Sequence, residues 1–176
     1  YRADMALAVN LFDAMTQGLI AFAWQPVRNA DDPSRILYHE CLLRTVDPGA
    51  TSTEGSINPA GPAIEALERL GLARALDRHV VEQAIEELRG DAASEIAVNI
   101  SAHSLTDDHW WIGALDTLAL YPLVERRLYI EITESAPFPS ISHAADFAAK
   151  LRRLGCQIVL DDFGTGHAAI RSILAL

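Results

Sequence analysis

The feature that most constrains what this chain can fold into is a repeating rhythm in its second half. A short apolar run, Glu95–Ile100, closes on Asn99 and Ser101, and a helical region with Trp110, Trp111, Leu115 and Leu118 follows. The next run, Arg127–Thr133, ends with Glu131 and Glu134 and leads into Ser142–Leu154, which carries Ala145, Ala148, Ala149 and Leu151 at helical spacing. A third run, Gln157–Leu160, closes on Asp161-Asp162-Phe163-Gly164, and His167–Leu176 starts a further helix. Strand, polar tip and helix, repeated, mean parallel βα units. In a (β/α) barrel the C-terminal strand ends carry the active site.

The first half sets up a different opening. Ala3–Gly18 has Leu7, Leu11, Ala14 and Met15 at helical spacing, with Gly18 as a stop. Leu19–Val27 and Ile36–Arg44 read as strands, joined by turn chemistry in Asn29, Asp31, Asp32 and Pro33. The short connection predicts an antiparallel pair. Thr45–Pro62, rich in Gly, Ser, Thr and Pro, reads as a long loop beside a site, and two helices are expected over Ala63–Leu70 and Leu72–Leu88, separated by Gly71. The expected fold is therefore α/β, a TIM-like barrel with an antiparallel first strand pair. About five strands are legible, against the eight of a closed barrel. The final stretch Arg171–Leu176 has no cap and no finishing strand after it. The expectation is one domain over residues 1–176 that lacks its C-terminal portion, with catalysis absent if the polypeptide ended there.

Composition narrows the partners. Half of the residues are apolar, enough for one sizeable core, and no stretch approaches the roughly 20 uninterrupted apolar residues of a membrane helix. Tyr1–Asp4 has no basic-then-apolar signal pattern, so a cytoplasmic location is expected, with an anchor elsewhere in a longer parent left open. A net charge of −10 argues against binding a nucleic-acid polymer. It does not argue against a phosphate-bearing ligand, because bound divalent cations invert the local field. Cys41 and Cys156, each in an apolar run, read as reduced core thiols.

The strand tips collect Glu40, Asn99, Glu131, Asp161 and Asp162. All are oxygen donors, the set that hard cations such as Mg²⁺, Mn²⁺ and Ca²⁺ prefer. Strand alternation puts Glu131 on one face with Tyr129 and Thr133, and Ile130 and Ile132 against the helices. Asp161 and Asp162 serve one site only if the chain bends after Leu160, which Gly164 and Gly166 permit. Taken singly, Glu40 reads equally as a solvent-facing residue, Asn99 as a turn residue and Asp161-Asp162 as a helix N-cap. Their recurrence at successive tips favours a shared site. The triplet Asp162-Phe163-Gly164 lacks the companion loops of a kinase. A glycosidase reading lacks tryptophans near the tips. His103 and His109 have no metal-partner spacing.

At this point the residues resemble a known family, the EAL domains of cyclic di-GMP phosphodiesterases. The likeness runs from about Leu7 to Leu176. Gln25-Pro26-Val27 is similar to the family's Q-P-I strand, and Glu40-Cys41-Leu42-Leu43-Arg44 sits where E-A-L-L-R belongs. Leu76-Asp77-Arg78 and Glu82-Gln83-Ala84 match its first long helix, and Val98-Asn99-Ile100-Ser101 matches V-N-[VI]-S. Glu131-Ile132-Thr133-Glu134-Ser135 and Asp161-Asp162-Phe163-Gly164-Thr165-Gly166 match E-I-T-E-S and D-D-F-G-T-G letter for letter.

The resemblance implies that Glu40, Asn99, Glu131 and Asp161 hold a first Mg²⁺ or Mn²⁺ and that Asp162 reaches a second. Glu40, Asp161 and Asp162 would then be the catalytic carboxylates. Gln25, Leu43 and Arg44 would bind cyclic di-GMP, Arg44 on a phosphate oxygen, and Glu134 would anchor the loop after Asp161-Asp162. The implied reaction opens the cyclic dinucleotide to linear pGpG by metal-assisted hydrolysis. A homodimer and neighbouring domains of a longer signalling protein are implied too. The alternative is a non-catalytic cyclic di-GMP receptor or partner-binding domain. Cys41 stands where the family has Ala, His167 where Tyr is frequent, and Thr45–Pro62 lacks the family's Phe-Ile-Pro run. The family's downstream Lys of a K-I-D strand, a later Glu and a closing Gln have no counterpart up to Leu176.

Overall fold

The structure is a computed structural model, and it describes residues 1–50, 56–101, 104–105, 108–133 and 141–161. Helix α1 (Arg2–Thr16) leads into strands β1 (Ile20–Arg28) and β2 (Ile36–Val46), then β3 (Ile57–Pro59) and helices α2 (Gly61–Leu70) and α3 (Ala73–Gly90). Strand β4 (Ile96–Ile100), helix α4 (Asp108–Ala119), strand β5 (Leu128–Thr133), helix α5 (Ile141–Leu154) and strand β6 (Gln157–Asp161) follow. The sheet order is β1-β2-β4-β5-β6, with β3 also on β2. The first pair is antiparallel, and β2, β4, β5 and β6 run parallel.

The expected order of elements is thus observed, with one difference. The stretch read as a loop from Thr45 contains β3, which pairs antiparallel with the end of β2 through Arg44↔Pro59, Thr45↔Asn58 and Val46↔Ile57. Three residues ending in proline give no periodic signal; the pairing comes from the free edge of β2. The two sides of β2 are therefore served by three strands. Its Glu40 level lies between Gln25 of β1 and Ala97 of β4, and its Arg44 level lies between Ala21 of β1 and Pro59 of β3. The helix expected over His167–Leu176 lies outside the described residues.

The sheet divides its side chains by alternation. Val98, Ile100, Ile130 and Ile132 point to the helices and pack in a core with Leu76, Val80, Val81, Leu118, Phe147 and Leu151. Helix α3 presents Leu76, Val80, Ala84 and Leu88 at i, i+4 steps to this core, which is why its apolar stripe reads so clearly. Gly71 closes α2 at φ 69°, where a side chain would be strained. Cys41 and Cys156 are free and buried, as the apolar runs suggested, and burial pushes both thiols up to about 12.

Arg127 sets the entry to β5. Its guanidinium donates to the carbonyls of Leu88 at 2.7 Å, Asp91 at 2.6 Å, Ser94 at 2.9 Å and Leu123 at 2.9 Å. It thereby ties the end of α3 and the α3–β4 connection to the start of β5. Hydrogen bonds from a charged donor contribute about 1.5–3 kcal/mol each but are not additive. Arg127→Ala is expected to lower the unfolding free energy by about 3 kcal/mol, with Arg127→Lys recovering part of it. Urea denaturation measures this; a change under half a kcal/mol would mean that solvent replaces the guanidinium.

Candidate functional site

The opposite face of the sheet, at the ends of β2, β4, β5 and β6, carries the polar residues. Asn99 and Glu131 are register partners on adjacent parallel strands, so their side chains leave one face at one level. Asp161 pairs with Thr133, two residues further along β5, and so stands one step nearer the strand ends. Glu40 comes from β2, with Gln25 opposite it on β1. The Asn99 amide Nδ2 donates to Glu40 Oε1 at 2.7 Å, which joins the β2 and β4 tips directly.

Glu131 is the electrostatic centre of this face. It is 4% exposed, and Tyr38 donates its hydroxyl to Glu131 Oε1 at 3.0 Å. The other oxygen, Oε2, is buried and has no hydrogen-bond partner among the described residues. Burial pushes the Glu131 carboxyl up to about 7; the Tyr38 hydroxyl pulls the other way, and the nearby charges of Glu40 and Asp161 add to the rise. Tyr38 is itself pushed above the ordinary phenol range, first by burial and then by the Glu131 charge. Glu131 therefore feels acidic side chains from two other strands.

A network that the sequence reading missed lies beneath them. The rings of Tyr38 and Tyr129 stack at 4.4 Å between centroids with planes 26° apart. They come from β2 and β5, with β4 between, and at that level β4 carries Ala97, too small to keep them apart. Tyr129 donates to Glu95 Oε2 at 2.7 Å. Alternation alone could have put Tyr38 on the face of Glu40, but not its meeting with Tyr129. A second missed residue is Asp77 of α3, 6% exposed, whose Oδ2 accepts from the Ser101 backbone N–H at 3.0 Å and from Ser104 Oγ at 2.6 Å. It fixes the chain immediately after Asn99.

The remaining expected site residues fall into three groups. Arg44 lies four residues along β2 from Glu40, on the same face, with Nη1 donating to the Leu43 carbonyl at 2.9 Å. Leu43 points the other way, 6% exposed within the hydrophobic core, and the structure does not bring its side chain to the acidic face. Leu42, which alternation puts beside Glu40 and Arg44, is half-buried there. Asp162 and Glu134 lie outside the described residues.

Among the described residues no three His, Cys, Asp or Glu side chains close into a metal-holding group. The donor chemistry nevertheless fits a hard cation. Every candidate ligand offers oxygen, including the buried Oε2 of Glu131, which has no hydrogen-bond partner among the described residues.

Comparison with known proteins completes the picture, because the EAL domain family matches residues 8–176. The chain belongs to the EAL domain family. Its fold is accordingly the TIM-like barrel of EAL domains, here as an open sheet of six strands among the described residues. The chain is 29% identical over 137 residues to the cyclic di-GMP phosphodiesterase PdeF of Escherichia coli, covering 76% of this chain and 18% of that protein. It is 31% identical over 135 residues to the signaling protein YkoW of Bacillus subtilis, covering 74% of this chain and 16% of that one. It thus spans less than a fifth of either relative. Among solved structures it resembles the EAL-containing part of Vibrio cholerae LapD bound to c-di-GMP, with TM-score 0.81, 20% identity and coverage of 97% of this chain and 40% of that one. It also resembles the PaMucR phosphodiesterase in complex with c-di-GMP, with TM-score 0.77, 24% identity and coverage of 97% and 69%. No helix among the described residues of this EAL chain is long and apolar enough to cross a membrane.

Proposed function

We propose that this EAL chain forms the greater part of a phosphodiesterase domain that hydrolyses cyclic di-GMP to linear pGpG with the help of divalent metal. The observation that carries the reading is the buried Oε2 of Glu131, without a hydrogen-bond partner among the described residues, near the charges of Glu40 from β2 and Asp161 from β6. In this reading Glu40, Asn99, Glu131 and Asp161 would hold a first Mg²⁺ or Mn²⁺, with Asp162 reaching a second. Such cations, when bound, polarise the phosphate and acidify water.

The protein's own share is positioning. Asn99 spends its amide N–H on Glu40, which leaves its carbonyl oxygen for another partner. Arg44, on the face of Glu40, would hold a phosphate oxygen with its forked guanidinium. Gln25, opposite Glu40, would line the ligand groove. Leu43 would support that groove from the core side, and Glu134 would anchor the segment after Asp161. Catalysis by this arrangement belongs to a longer signalling chain, with cyclic di-GMP as ligand and a homodimer as the working form.

The test uses the full-length parent protein with cyclic di-GMP and Mg²⁺ or Mn²⁺, and reads pGpG release by chromatography. Removal of the metal with EDTA is expected to reduce the rate on the order of 10³-fold or more, since charge stabilisation at the phosphate is lost. Calorimetry runs in parallel: tight ligand binding with no product under any metal would replace the enzyme with a receptor.

A further inference from the structure

We infer that Tyr38 is a positioning residue for Glu131, holding one carboxylate oxygen so that the other is offered to a divalent cation. The inference rests on the metal reading above and adds a residue to it. Glu131 has two oxygens in unlike situations: Oε1 accepts the Tyr38 hydroxyl at 3.0 Å, and Oε2 is buried with no partner among the described residues. A carboxylate with one oxygen engaged keeps a fixed rotation, and its second oxygen keeps a fixed direction. Tyr38 can do this because it is itself held. Its ring stacks on Tyr129 at 4.4 Å, and Tyr129 is tied by its own hydroxyl to Glu95 at 2.7 Å. The chain of contacts runs from Glu95 through two tyrosines to Glu131, across three parallel strands. Each link is a hydrogen bond or a ring face, so no long flexible side chain intervenes.

The geometry also separates this role from plain packing. Tyr38 is 9% exposed, and its ring contact with Tyr129 supplies the packing. The hydroxyl adds only the bond to Glu131. Tyr38→Phe therefore removes the positioning contact and keeps the ring.

The experiment measures Mn²⁺ binding to the full chain by isothermal titration, without substrate, for wild type and Tyr38→Phe. The variant is expected to bind Mn²⁺ about ten-fold more weakly, as for loss of a hydrogen bond to a metal-holding side chain, with the metal-free melting temperature little changed. Affinity within two-fold of wild type, or tighter, in a folded variant would overturn the positioning role and leave the metal site standing. A wild-type chain that binds no Mn²⁺ would overturn both readings. If the variant does not fold, the wild type gives a second reading. Mg²⁺ should produce a tyrosine difference band in the near-ultraviolet as the site fills, and filling without that band overturns the role equally.

Discussion

Glu131→Gln is expected to make the metal-free protein more stable and, on the proposed phosphodiesterase reading, the full-length protein inactive. Both effects come from one cause. The Glu131 carboxyl is 4% exposed and pushed from an ordinary value of 4.5 to about 7, chiefly by burial. Between those values the folded protein holds a proton that the unfolded chain releases, so stability falls as pH rises through that window. At about 1.4 kcal/mol per unit, the ionised group costs the fold about 3 kcal/mol above pH 7. Glutamine carries no charge, and its carbonyl can still accept the Tyr38 hydroxyl. At pH 8 without metal the variant should therefore gain on the order of 1–3 kcal/mol in urea unfolding. Cyclic di-GMP hydrolysis should fall on the order of 10³-fold, because the amide offers a weaker partner to the cation. Mg²⁺ should raise the melting temperature of the wild type and not of the variant. A variant within ten-fold of wild-type activity would remove Glu131 from the site.

The second large effect concerns Asp77. Burial pushes its carboxyl from 3.8 to about 7, against the opposing pull of the Ser104 hydroxyl and the Ser101 N–H. The sign is the same as for Glu131. The folded state keeps the proton between pH 4 and 7, the unfolded state does not, and stability declines as pH rises by up to about 4 kcal/mol in total. Asp77→Asn retains an oxygen for Ser101 and Ser104 but cannot ionise. Unfolding free energies at pH 5 and pH 8 should then differ much less in the variant than in the wild type, the remainder belonging to Glu131. An equal pH dependence in both proteins would mean that Asp77 ionises in the folded state without penalty. Asp77→Ala is a different case: it removes the two hydrogen bonds that Asp77 accepts from the Ser101 N–H and the Ser104 hydroxyl, at a cost of about 1–3 kcal/mol.

How much of this was legible beforehand follows from what kind of information each residue carries. The parallel βα rhythm and the antiparallel opening are local patterns, and both are present in the structure; of the expected tips, Asn99 and Asp161 fall at or next to a strand end, Glu131 two residues before the end of β5, and Glu40 in the middle of β2. That Asn99 and Glu131 share a level depends on register, which neither apolar run shows by itself. Strand β3 was hidden because three residues cannot display a period. Tyr38 was hidden for another reason: its partner is 91 positions away and is reached over the small Ala97. Leu43 was expected at the ligand because of the motif around it, whereas simple alternation from Glu40 selects Leu42 for that face. Asp77 entered only as part of the helix motif Leu76-Asp77-Arg78, without a role; only the fold shows that its turn of α3 faces the chain after β4.

On one side, β2 changes neighbours between Glu40 and Arg44. At Glu40 the strand lies between Gln25 of β1 and Ala97 of β4. At Arg44 one flank is a three-residue ribbon whose rung is Pro59, a residue with no N–H to give. A carboxylate and a guanidinium that share one strand thus answer to different neighbours on that side, Glu40 to β4 and Arg44 to β3.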